Sequence, residues 1–187
     1  MLDQLNRLAR RILLMMARGT ITLVDDSKKV QTMQVRVNGL ELLPDIPRFA
    51  EYGYTSNPPA GTQAIIGSKN GDRNDGIVIA TSNAKYRLVG LSTGEVAIHD
   101  DKGQSVYLSA SGIVVNGGGK PITLTNTTKI RAETARFECT GDIVDHCDTT
   151  GRSMAGDRVI FNGHNHQVKN VQGGSSTITS EVPAQQE

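Results

Sequence analysis

Large rings are nearly missing from this chain. Tryptophan is absent, and three phenylalanines and four tyrosines are the whole aromatic complement of 187 residues. A globular core of this size normally uses more such rings, because they carry much of the buried area. The deficit fits a thin body cored by Val, Ile, Leu and small residues. Cysteine is scarce too. Cys139 and Cys147 do not make a disulfide framework, and their spacing of one repeat step reads as two small buried residues. A net charge of +1 gives no electrostatic case for nucleic acid. No apolar run approaches the length of a membrane span. Leu13–Ala17 is apolar but short and is followed by Arg18, so no secretory signal is read and folding in the cytoplasm is expected. Catalytic signatures are missing as well: there is no His-Glu-x-x-His, no Gly-x-Ser-x-Gly and no phosphate loop. Asp100 and Asp101 sit side by side, but in a turn, where solvated carboxylates are the rule. The sequence therefore predicts no enzyme.

What the chain does have is a repeat. From Gly94 to His166, apolar pairs separated by one residue return every seven or eight positions: Val106/Leu108, Ile113/Val115, Ile122/Leu124, Ile130/Ala132, Phe137/Cys139 and a weaker rung at Ile143. Within a rung the period is 2, so both apolar side chains share one face of a short strand. Such a strand cannot bury that face alone, and a regular series of them is the signature of a β-solenoid. The step is too short for one chain to complete a three-sided coil, whose turns need roughly 18 or more residues. The pattern predicts an intertwined β-prism of several chains, most simply three. The alternative is an ordinary antiparallel meander with tight turns, although its strands are normally longer. Twenty glycines supply the tight corners that a repeat of either kind requires.

Upstream, residues 3–18 read as an amphipathic helix, with Leu5, Leu8, Ile12 and Met16 at helical spacing, Leu13 alongside, Asp3 as its cap and Gly19 as its end. Residues 19–91 read as a small β domain: Thr20–Val24, Val30–Val37 ending in the tight turn Asn38-Gly39, Gln63–Gly67, Ile77–Ala80 and Tyr86–Leu91. Pro44, Pro47, Pro58 and Pro59 exclude a central strand between Leu42 and Pro59. Five short strands with a long middle connection point to an OB-type barrel. Such barrels often bind oligonucleotides or sugars. Here the basic residues near the aromatics Phe49, Tyr52, Tyr54 and Tyr86 are only Arg48, Lys69 and Arg73, so a docking role is the better reading. The predicted organisation is a helix at 1–18, an OB barrel at 19–91, a shaft at 92–160, and an apex with tail at 161–187.

Four segments carry a family resemblance: Ala50-Glu51-Tyr52-Gly53-Tyr54-Thr55-Ser56-Asn57-Pro58, Gly61-Thr62-Gln63-Ala64, Gly76-Ile77-Val78-Ile79-Ala80 and Gly94-Glu95-Val96-Ala97-Ile98. In these, and in the order of its parts, the chain resembles the Mu-type phage baseplate spike family, also called phage baseplate assembly protein V. The resemblance implies a homotrimer with an OB domain, a three-chain β-helix and a pointed apex. It also implies a place at the centre of a contractile-tail baseplate in the virion, seated on hub and tail-tube proteins, and a spike that pierces the host outer membrane on sheath contraction.

The apex has its own chemistry. His164 and His166 are two apart, so on an extended strand both imidazoles point the same way. One chain offers two nitrogens; three chains around an axis offer six. Zinc strongly prefers four ligands, so a six-His set argues for iron(II) or another octahedral metal. The resemblance implies iron. Such an ion leaves no open coordination position and ties the chain ends together. His99 and His146 have no paired neighbour and are expected to be structural or exposed. Beyond His166 the tail is expected to fold back, with Val168, Val171, Ile178 and Val182 as packing residues, while Pro183–Glu187 either pack or are disordered. Two rivals stand beside the spike. A trimeric receptor-binding or depolymerase fibre needs a carboxylate pair and sugar platforms, for which the shaft has only Tyr107 and Phe137. A single-strand-binding OB protein needs more cations than are present.

Overall fold

The first element follows from apolar residues at three- and four-residue spacing: helix α1 covers Leu2–Leu14 in the computed structural model, which describes residues 1–169 and 177–182. It ends four residues short of the predicted Arg18. Met16 leaves it for strand β1 (Met16–Asp25), because pairing with β4 (Gln63–Ser68) claims Met16, Ala17 and Arg18 opposite Gly67, Ile66 and Ile65. Tertiary pairing overrides helical propensity at this boundary. Asp3 lies in the first turn, where it complements the helix dipole, and makes no side-chain cap.

Gly19 is therefore no helix stop. It lies inside β1, and a Cβ there would stand 2.5 Å from Val35 Cγ1 and 2.7 Å from the Arg36 carbonyl oxygen. Only glycine lets β2 (Thr32–Arg36) approach this closely.

Strands β1, β2, β3 (Leu42–Pro47), β4 and β5 (Gly76–Ser82) form one sheet in the order β3-β2-β1-β4-β5, every pair antiparallel. Three irregularities bend it. Ile21 to Leu23 of β1 faces the single step Val35 to Gln34; Leu43 to Ile46 of β3 faces Val35 to Met33; and Val78 to Ala80 of β5 faces Ile66 to Ile65. Each extra residue kinks and twists its strand. The edges then meet: Arg48 bridges Val78 in parallel, and the Phe49 amide donates to the Val78 carbonyl at 3.1 Å. Ile21, Met33, Val35, Leu43, Ile46, Ala64, Ile66 and Val78 fill the interior.

Two strand assignments change. The proline-bearing stretch supplies β3, an edge strand whose bulge sets Asp45 at φ 50° and so accommodates Pro44. Tyr86–Leu91 forms no strand; the Asn83 carbonyl accepts from the Tyr86 and Arg87 amides, which turns the chain instead.

Further on, β6 (Val96–His99), β7 (Ser105–Ser109) and β8 (Gly112–Asn116) make an antiparallel meander, with the turn expected at Asp100–Gly103. The first two rungs thus pair within one chain, as the meander alternative has it. Glu95 pins this small sheet: its carboxylate accepts the Tyr107 hydroxyl, the Ser92 amide (2.8 Å) and the Ala110 amide (3.1 Å). These bonds, the Tyr107 hydroxyl first, hold the Glu95 carboxyl below its ordinary value, and Glu95 in turn raises the Tyr107 phenol.

The chain divides into two compact units, Met1–Thr123 and Leu124–Glu187. The remaining rungs, from Ile122 on, carry no assigned strand and are solvent-exposed. Their repeat is visible in local turns seven residues apart: the Thr127 hydroxyl donates to the Lys129 carbonyl and the Thr134 hydroxyl to the Arg136 carbonyl, both at 2.9 Å. Cys139 and Cys147, expected to be buried, are exposed thiols, because no described residue covers them. Helix α2 (Met154–Gly163), which periodicity did not predict, is followed by the hairpin β9 (Gln167–Lys169) and β10 (Thr177–Thr179). The hairpin folds the tail back and sets Val168 opposite Ile178. Val171 and Pro183–Glu187 lie outside the described residues. No helix among the described residues is long and apolar enough to cross a membrane.

Gly19→Ala should lower unfolding stability by about 1–3 kcal/mol, the usual cost of overpacking, measured by urea denaturation; an unchanged midpoint would contradict the close approach of β2. Glu95 generates a second prediction. Because its folded pKa is depressed, its contribution is present above the unfolded value near 4.5 and is lost as pH falls through the lower folded value. A carboxyl-carbon NMR titration should give a midpoint below 4.5, moving upward in Tyr107→Phe; a wild-type midpoint at or above 4.5 would refute the pinning.

Candidate metal centre

Ser153 starts the segment that carries the two histidines. Its extended backbone and its hydroxyl, which accepts the Gly156 amide at 3.1 Å, cap α2, and Arg152 pairs with Asp157 at 3.3 Å across the first turn. The helix ends at Gly163, and His164 leaves it with an extended backbone (φ −76°, ψ 147°).

From there both rings are placed by local contacts. His164 Nδ1 lies 2.6 Å from the Phe161 carbonyl oxygen, three residues back in the last helical turn. A carbonyl only accepts, so Nδ1 carries a proton, and in the neutral ring Nε2 is then the nitrogen with the lone pair. The Phe161 and His164 rings are 5.4 Å apart and tilted by 48°. His166 is held through its backbone: its amide donates to the Ser180 hydroxyl at 2.9 Å, and its carbonyl accepts the Ser180 amide at 2.8 Å. The hairpin beyond it therefore fixes His166. The two imidazoles end up 5.2 Å apart, edge to face at 88°, so the structure brings the two predicted ligands together.

Among the described residues no group of three or more His, Cys, Asp or Glu gathers as a ready site. A single chain thus presents a pair of imidazoles. The His164 ring shares one feature with ligating histidines, which usually donate the second ring N–H to a carbonyl or carboxylate. Phe161 and Ser180 are the partners that sequence reasoning missed. The position of Phe161, three residues before His164, is a signal available in the sequence; nothing in the sequence marks Ser180, fourteen residues after His166.

The other predicted groups are occupied elsewhere. His99 lies exposed on β6. His146 sits at φ 46° and turns the chain, its carbonyl accepting three amides. The Asp100 carboxylate accepts the Lys102 and Gln104 amides at 2.8 and 2.9 Å, and Asp101 pairs with Lys102 at 2.8 Å. The cations near the barrel aromatics are paired as well: Arg48 with Gln31 and Ser56, Lys69 with Asp75, and Arg73 with Glu41. Phe49, Tyr52 and Tyr54 are exposed beside them.

Comparison with known proteins bears on the rest of the chain. The family "Bacteriophage Mu Gp45, N-terminal" matches residues 18–85, which covers nearly all of the five-stranded sheet. The chain is similar to "Baseplate puncturing device gp45" of Escherichia phage Mu, 29% identical over 139 residues, 74% of this chain and 70% of that one. It is also similar to "Mu-like prophage FluMu protein gp45" of Haemophilus influenzae, 28% identical over 166 residues, 85% of this chain and 88% of that one.

In the metal-free chain, long-range nitrogen–proton NMR spectra should find His164 as the Nδ1–H tautomer at neutral pH; an Nε2–H tautomer would refute the carbonyl contact and the ligand geometry built on it.

Residues 18–85 thus match the Mu Gp45 N-terminal family, and over most of its length the chain is similar to two gp45 proteins, one of them named a baseplate puncturing device.

Proposed function

We propose that this chain is the central spike of a contractile-tail baseplate, acting as a structural component with no catalytic role. The observation that carries the reading is a set of apolar rungs without cover. Ile122, Leu124, Ile130 and Phe137 are 59%, 67%, 66% and 74% exposed, in a stretch without any assigned strand or helix. Burying each such side chain is worth about 1.5–3 kcal/mol. Cover supplied by two further copies turns the repeat into a triple-stranded β-helix, with apolar faces inward and no free strand edge. The same cover buries Phe137 and Cys139 together.

In this reading the five-stranded sheet is an OB-type barrel. Its antiparallel order, with a parallel contact between its third and fifth strands, supports that assignment. The barrel seats on hub and tail-tube proteins of the virion. The shaft pierces the host outer membrane when the sheath contracts, and nucleic acid has no part. The relative from phage Mu, named a baseplate puncturing device, supports the same role.

At the point, His164 and His166 from three chains supply six imidazole nitrogens to one metal ion, most simply iron(II). Nε2 of His164 would be one donor, with the Phe161 carbonyl orienting the ring. The ion acts mechanically. It ties three chain ends together, so its binding free energy adds to folding. An intertwined trimer of this kind has a high unfolding barrier, and kinetic stability is what a loaded shaft requires.

Native mass spectrometry of the full chain should give three chains plus one metal ion, with the metal identified by elemental analysis. In a His164→Ala, His166→Ala variant the trimer should persist and the metal should fall from one per trimer to none. A monomer would overturn the spike reading; a wild-type trimer without metal, after purification free of chelators, would overturn the apex.

A further inference from the structure

We propose that the exposed apolar face of α1 is a seam between copies of this chain, three α1 helices packing side by side as a short parallel bundle at the barrel end. This rests on the trimer proposed above. Met1, Leu5, Leu8, Ile12 and Met15 step by 4, 3, 4 and 3 residues, the spacing that keeps one line of side chains facing a partner helix. No residue of α1 is buried, and Leu5, Leu8 and Ile12 are 59%, 56% and 58% exposed.

Three observations favour a second and third copy as occupants. The seam carries no charge, and Arg7, Arg10 and Arg11 lie off it, so bundling joins apolar faces and leaves the guanidinium groups in water. The helix root is rigid: the Met15 carbonyl accepts the Ser68 amide at 2.7 Å, and Gly71 lets the Arg11 backbone lie against the turn after β4. A Cβ at Gly71 would fall 2.3 Å from the Arg11 carbonyl oxygen, and φ there is +72°. The seam also runs into apolar surface on the barrel, a hollow of about 430 Å³ lined in part by Met15, Met16 and Ile77. A helix of this length is marginal in isolation. Held at its root on a trimer, it meets its copies at the high effective concentration of a tethered segment. Threefold symmetry makes the helices parallel and in register.

The test is disulfide trapping in the full chain carrying Cys139→Ser and Cys147→Ser, with Leu8→Cys on the seam or Arg10→Cys off it. Each protein is oxidised with copper phenanthroline and dioxygen and run on a denaturing gel without reductant. The seam variant should give at least tenfold more linked dimer than the off-seam variant, with native mass spectrometry reporting a trimer for both. Leu5→Cys and Ile12→Cys should repeat the seam result, which guards against a local effect at one site. A trimer in which seam and off-seam thiols link equally poorly overturns the bundle and assigns the face to another baseplate protein or a lipid surface. A monomer overturns the trimer itself, a separate outcome.

Discussion

The constraint behind this molecule is that a single strand has an apolar face it cannot bury alone. In the barrel the chain meets that constraint by itself. Three bulges coil the sheet until Arg48 reaches Val78, and the inward faces of five strands cover one another around Ile21, Val35 and Ile66. In the rungs the constraint is not met within one chain. The apolar side chains from Ile122 to Phe137 face solvent, and the local turns at Thr127 and Thr134 only set the step. The difference lies in chain path. A closed barrel returns the end of its third strand to its fifth, whereas from Ile122 on no described strand returns to cover the rungs.

Much of the barrel was legible in the sequence because its signals are local. Alternation marked β1, β2, β4 and β5, and Asn38 turned the chain where expected, its side chain accepting the Leu40 and Glu41 amides. The errors came where a long-range partner decides. Proline argued against a strand at Leu42–Pro47, correctly for a central position, yet an edge strand with a bulge tolerates it. Gly19 read as a helix stop because glycine commonly ends helices. Its actual reason is the proximity of Val35, sixteen residues away. Met16 kept the helical period but was claimed by a strand pairing that no local window contains.

The histidine pair was legible by type and spacing, and its setting was not. Two residues apart on an extended chain predicts rings on one side, and the 5.2 Å separation fits that expectation. The helix before it was hidden because Met154, Val159, Ile160 and Phe161 do not form a single apolar stripe; the Ser153 cap and backbone bonding over ten residues define it instead. That helix matters chemically, since its last turn supplies the Phe161 carbonyl that selects the tautomer of His164.

Taken with the proposed trimer, these features distribute one requirement over the chain. A shaft loaded along its axis fails first where chains separate, and chains separate most easily at free ends. A helical seam addresses that weakness at one end through apolar packing, which is strengthened by tethering. The proposed six-imidazole ion would address it at the other through coordination, binding three chains at a single point. The two devices suit their places. A helix bundle needs breadth, which the barrel end supplies through the rigid root at Ser68 and Gly71. An ion needs almost none, and a point narrow enough to enter a membrane has none to spare.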